Sequence, residues 1–133
     1  MSGVTLTGHL FTLVRDQAMT GRESVLFLKH LVRQRGGRLL VVWDGSPIHR
    51  GQEVKAFLAD GGAKAIHLEQ FPAYAPDLNP TEGVWDHLKF VELRNLCCSD
   101  LTHLRYALKH AIGRLRRRPQ LIQSFFAGAG LSL

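Results

Sequence analysis

The sequence predicts an α/β fold, a sheet with helices on both of its faces. Two observations carry that prediction. Residues 38–44 form an unbroken, β-branched-rich apolar run, the pattern of a central strand covered on both sides. Around it, strand-like and helix-like segments alternate in the order strand–helix–strand–helix–strand–helix. Residues 4–15 alternate well enough for one or two strands broken at Gly8. Thr20 to Glu23 has capping-box spacing, and Val25, Leu28, Leu31 and Val32 then repeat at helical spacing until Gly36-Gly37 stops the helix. After the 38–44 strand, Val54, Phe57 and Leu58 place a second helix over 51–60, closed by Gly61-Gly62. Ala65 to Leu68 reads as a short strand, and a third helix runs from about Pro80 to Leu93. A last helix spans about Asp100 to Arg118, with Leu101, Leu104, Leu108, Ile112 and Leu115 as its buried stripe and Pro119 as its end.

Composition narrows the function classes. With 133 residues, 45% hydrophobic and 21% charged, the chain is long enough to bury a core and too apolar for a disordered tail. A net charge of +6 leans toward a polyanionic partner. No apolar run approaches the ~20 residues that cross a bilayer, and Met1-Ser2-Gly3 is not the start of a secretion signal. The two cysteines, Cys97 and Cys98, are adjacent; that spacing argues for a reducing cytoplasm and against a structural zinc.

Two acids stand out. Asp44 ends the apolar 38–44 strand, and sites in open α/β sheets gather at strand C-termini. The second belongs to the segment Phe71–Lys89, FPAYAPDLNPTEGVWDHLK. Prolines 72, 76 and 80 stiffen a loop that opens a helix, with Asn79 as N-cap, Pro80 at the first helical position and Glu82 at the third. Glu82 has two readings. It is a cap acid, favoured by the helix dipole by ~0.3–1 kcal/mol, or a functional carboxylate on a braced helix. Three prolines and an Asn cap already define the helix start, and Glu82, Trp85 and Lys89 share one helical face, which favours the functional reading. The run Arg114-Leu115-Arg116-Arg117-Arg118 is either a solvated helix end or a phosphate-contacting patch.

The stretches VVWDGSPIHR and FPAYAPDLNPTEGVWDHLK resemble the second half of the catalytic domain of DDE transposases of the mariner-like insertion-sequence kind. Asp44, Pro47 and His49 fit the first motif, although Gly45 stands where that family usually has Asn. Pro72, Tyr74, Pro76, Asp77, Leu78, Asn79, Pro80, Glu82, Trp85 and Lys89 fit the second. The resemblance implies an incomplete ribonuclease H-like fold, a mixed sheet flanked by helices. It places a partial catalytic domain over 1–95 and a basic helical extension packed on it over 96–133. It makes Asp44 and Glu82, 38 positions apart, the catalytic and metal-binding acids, with His49, Asn79 and Trp85 in support. The implied cofactor is Mg²⁺ or Mn²⁺, with two ions in the completed enzyme.

Such enzymes carry three acids, and the first lies on a strand upstream of the Asp44 strand, before this chain begins. The possible substitutes are Asp16, Glu69 and Asp77; Asp16 follows an edge strand and Asp77 reads as a turn residue before Leu78. The expectation is therefore a C-terminal catalytic segment for metal-dependent DNA cleavage and strand transfer, inactive alone, acting at the nucleoid of a bacterial cytoplasm. Its partners are transposon-end and target DNA, contacted by Lys89, Arg114, Arg116, Arg117 and Arg118, and a second copy or an N-terminal transposase segment that fills the empty sheet position. No membrane partner is expected. Two other readings stay open: a non-catalytic DNA-binding or dimerising transposase fragment, and an unrelated α/β binding domain in which Glu82 is only a cap.

Overall fold

The computed structural model describes residues 1–15, 17–72, 78–94 and 96–131. Asp16, Tyr74, Pro76 and Asp77 lie outside them. The chain divides into two units, one of Met1 with Phe11–Pro76 and one of Ser2–Leu10 with Asp77–Leu133. Strands β1 (Ser2–Val4) and β2 (Leu10–Thr12) pair with each other; β2 falls within the expected 4–15 stretch, whereas β1 begins earlier and shares only Val4 with it.

In the first unit, helix α1 (Gly21–Arg35) starts at the expected capping box. The Thr20 side chain accepts from the Arg22 N–H, and Glu23 accepts from the Thr20 backbone and hydroxyl, which holds the Glu23 carboxyl below its usual range. Strand β3 (Leu39–Trp43) runs parallel to β4 (Ile66–Gln70) in the register Val41 to Leu68. Parallel neighbours need a crossover, and α2 (Gln52–Ala59) supplies it. The core cluster is Phe27, Leu28 and Leu31 of α1, Trp43 of β3, Val54 of α2 and Ile66 of β4.

The α/β class holds, but the 38–44 strand is not covered on both faces. Leu39, Val41 and Trp43 face the helices, whereas Leu40 is 67% and Val42 45% exposed. An apolar run reports what each side chain tolerates; the period of two decides which half meets the core.

In the second unit, α3 (Thr81–His87) passes into one π-helical stretch, Leu88–Glu92. α4 (Leu101–Arg116) follows, then α5 (Pro119–Gly128). Pro119 does not merely stop α4. It opens α5, where its missing N–H is no loss, and Ile122 and Phe126 bury that helix. The α4 stripe is only half as deep as its periodicity suggested. Ala111, Ile112 and Leu115 are buried, but Leu101 and Leu104 are exposed. Gly8 has φ of 87°, and a Cβ there would strike the Pro119 carbonyl and come within 2.8 Å of the Pro119 Cβ. Both the backbone conformation and the close approach require glycine.

Candidate active site

β3 delivers Asp44 immediately after its last residue, and the turn that follows ties the carboxylate down. Asp44 Oδ1 accepts from the Ser46 backbone N–H at 3.0 Å, and His49 Nε2 lies 3.4 Å from the same oxygen. Asp44 Oδ2 has no partner among the described residues, and the side chain is 62% exposed. His49 sits in the short 3₁₀ turn Pro47–His49. Its ring stacks on Trp43 at 4.2 Å and 10°, while its Nδ1 is 3.1 Å from Ser24 Oγ. Burial is the main reason the His49 pKa is pushed down; the Asp44 charge pulls the other way, and the Met1 amine adds to the depression. Trp43 is a core residue, as expected of an aromatic backing the acid.

Asn79 and Glu82 lie together at the start of α3. The Asn79 carboxamide oxygen accepts from the Thr81 N–H at 3.1 Å and from the Thr81 hydroxyl at 2.7 Å. This is the capping bond the sequence predicted, although the helix bounds begin one residue later, at Thr81. The Glu82 carboxylate is exposed and forms no hydrogen bond or ion pair among the described residues. A capping box would have it accept from the Asn79 N–H, and that bond is not among those described. Trp85 is half-buried on the same helix. A Cβ on Gly83 would come within 2.8 Å of the Phe125 ring, so the residue next to Glu82 must stay small for α5 to pack.

Lys89 falls in the π-helical stretch, so the shared face assumed for an uninterrupted helix is not kept beyond His87; its ammonium lies 5.0 Å over the Phe90 ring. Two of the basic residues have internal duties. Arg114 Nε donates to Glu92 Oε2 at 2.8 Å, and Arg116 Nε donates to the Leu10 carbonyl at 3.0 Å. Arg117 and Arg118 are exposed.

Glu92 is 14% exposed and also lies 3.5 Å from His87 Nε2, an electrostatic contact too long for a full hydrogen bond. The Arg114 bond is the main cause that holds the Glu92 carboxyl below its usual value. A depressed carboxylate contributes stability above its ordinary value and loses it as the pH falls through the depressed one. Arg114→Met should therefore lower the melting temperature at neutral pH, and the gap to the wild type should close in acid below the ordinary Glu value. A gap independent of pH would remove the pair from the stability account.

Sequence reasoning missed Ser24, Gly83 and the Glu92–Arg114 pair. Ser24 had a signal: it occupies the buried side of α1 with Gly21, Leu28 and Leu31, where a polar residue needs a partner. The other two depend on packing from α5 and α4 and left no local trace.

Hard oxygen donors with a free lone pair suit Mg²⁺ or Mn²⁺, and Asp44 Oδ2 and the Glu82 carboxylate each qualify. Asp44 belongs to the first unit and Glu82 to the second. Among the described residues no group of three or more His, Cys, Asp or Glu could hold a metal ion. No helix among them is long and apolar enough to cross a membrane.

Residues 1–104 match the family described as DDE superfamily endonuclease. The fold is similar to the catalytic domain of the Mos1 mariner transposase, with a TM-score of 0.59 and 16% identity over 96% of this chain and 72% of that one. No curated protein matches the chain.

Proposed function

The chain belongs to the DDE superfamily of endonucleases, and on that premise we propose that it is the C-terminal catalytic segment of a DNA transposase. The observation that carries this reading is Asp44 at the end of β3, with one carboxylate oxygen engaged and the other free. In the proposed reaction water cuts a phosphodiester, and the freed 3′-hydroxyl then attacks target DNA, with no covalent enzyme intermediate. Asp44 and Glu82 would each supply carboxylate oxygens to divalent cations, Mg²⁺ or Mn²⁺, two in the completed enzyme. When bound, these supply Lewis-acid stabilisation of the charge that develops on phosphate oxygens. His49 and Trp43 support Asp44, while Asn79 and Trp85 support the helix that carries Glu82.

Such centres use three acids, and among the described residues no third acid completes a metal-holding group. The third belongs to an N-terminal transposase segment or to a second copy, which pairs with the sheet and makes the enzyme competent at the bacterial nucleoid. The test is nicking of supercoiled plasmid in Mg²⁺ or Mn²⁺, with and without an added segment that carries an Asp-terminated strand. Nicking should appear with the segment and vanish in Asp44→Asn and in Glu82→Gln. Undiminished nicking in both variants would refute the assignment. No nicking under any condition, with DNA binding intact, would favour the non-catalytic transposase fragment.

DNA contact rests on phosphates, through Lys89, Arg114, Arg116, Arg117 and Arg118, with the Nε–H of Arg114 and of Arg116 already engaged within the protein. Binding should be sequence-independent and steeply salt-dependent. Arg117→Ala combined with Arg118→Ala should reduce the slope of log K against log salt by about 2. An unchanged slope would move the DNA surface elsewhere.

A further inference from the structure

The Ser24 side chain is wholly buried in the first turns of α1, a place where a hydroxyl must find a partner. Its partner is His49 Nδ1, at 3.1 Å and 25 residues away in sequence. With the ring neutral, the form its burial favours, two proton arrangements are open to this pair. In one, Nδ1–H donates to Ser24 and the Nε2 lone pair is left facing Asp44 Oδ1 at 3.4 Å. That sets an unprotonated nitrogen against a carboxylate. In the other, Ser24 donates to Nδ1, the proton sits on Nε2, and the ring N–H points at Asp44. Trp43, stacked at 4.2 Å, holds the ring plane in either case. Only the second arrangement is attractive at both nitrogens.

We propose that Ser24 is a positioning residue for Asp44: its hydroxyl donates to His49 Nδ1, fixes the ring in the Nε2–H form and aims that N–H at Asp44 Oδ1. With the Ser46 N–H, two donors then converge on one carboxylate oxygen and leave Oδ2 as the face presented to a cation. Ser24 touches no substrate; it acts through His49, as an outer-shell partner orients a ligand. The consequence for Asp44 rests on the reading of that residue as a cation-binding acid, whereas the proton arrangement does not.

Two readouts separate the two. Imidazole ¹⁵N spectra of the metal-free chain at one fixed pH should show His49 as the Nε2–H tautomer, and Ser24→Ala should bring in the Nδ1–H form. Mn²⁺ affinity, titrated with the metal alone, should fall about 10-fold in Ser24→Ala. In a His49→Gln background, whose amide N–H can replace the ring donor, adding Ser24→Ala should cost nothing further. An Nδ1–H tautomer in the wild type, or an unaltered tautomer in Ser24→Ala, would overturn the proposal. So would losses of Mn²⁺ affinity that simply add in the double variant, because they would mark Ser24 as a packing residue only. If Asp44→Asn leaves Mn²⁺ binding intact while the tautomer responds to Ser24, the cation reading of Asp44 fails and the Ser24–His49 link stands.

Discussion

Leu28→Ala should destabilise the protein by about 2–5 kcal/mol, the range for a large-to-small change at a fully buried site. Leu28 has 0% exposure and sits in the cluster with Phe27, Leu31, Trp43, Val54 and Ile66, so its removal leaves a cavity lined from several elements. Against a total stability of ~5–15 kcal/mol, that is a large fraction. For a chain of this size a loss of about 3 kcal/mol lowers Tm by roughly 10 °C. The damage should reach the site, because Trp43 closes the same cluster and stacks on His49. Leu40→Ala is the matched control. Leu40 comes from the same kind of apolar run but is 67% exposed, and its replacement should cost under about 0.5 kcal/mol. Thermal melts of both variants check this. Equal losses would mean that another packed element covers the outer face of β3 in solution.

The elements that local chemistry specifies were legible in the sequence. Thr20 and Glu23 form their capping box, Gly36 closes α1, β3 and β4 fall where their apolar residues cluster, and the Asn79 cap makes its bond to Thr81. What failed was the inference from a pattern to the partner that satisfies it. The 38–44 run has apolar residues in both phases, so its composition could not say that Leu40 and Val42 would face outward. The α4 stripe marks an apolar side without saying how far a neighbour extends along it, and the cover stops short of Leu104. Pro119 carries both meanings a proline has near a helix end; a stop was read, whereas the following Leu121, Ile122, Phe125 and Phe126 make it a start. The π-helical stretch at Leu88–Glu92, from which Glu92 bonds Arg114 of α4, is a long-range arrangement that no window of sequence displays.

The site was legible in part. Asp44 ends β3 and Glu82 lies in the first turn of α3, where the sequence put them, and each keeps a carboxylate oxygen free of partners among the described residues. Ser24, which links α1 to His49, was hidden inside an amphipathic helix whose other buried residues are ordinary core. Arg114 and Arg116 looked like surface cations and hold Glu92 and the Leu10 carbonyl.

Removing either acid should have the second large effect. Mn²⁺ relies on few protein oxygens and keeps much of its water, so the charge of one carboxylate is a large share of what the protein contributes. Asp44→Asn and Glu82→Gln keep the size of each side chain and remove only its charge, so each fold should survive. Titrating Mn²⁺ into the wild type and these two variants, followed by electron paramagnetic resonance of the free ion, decides whether these two carboxylates bind a cation. The wild type should bind weakly, and each variant should bind at least about 10-fold more weakly still. Identical affinity in all three proteins would contradict cation binding by either.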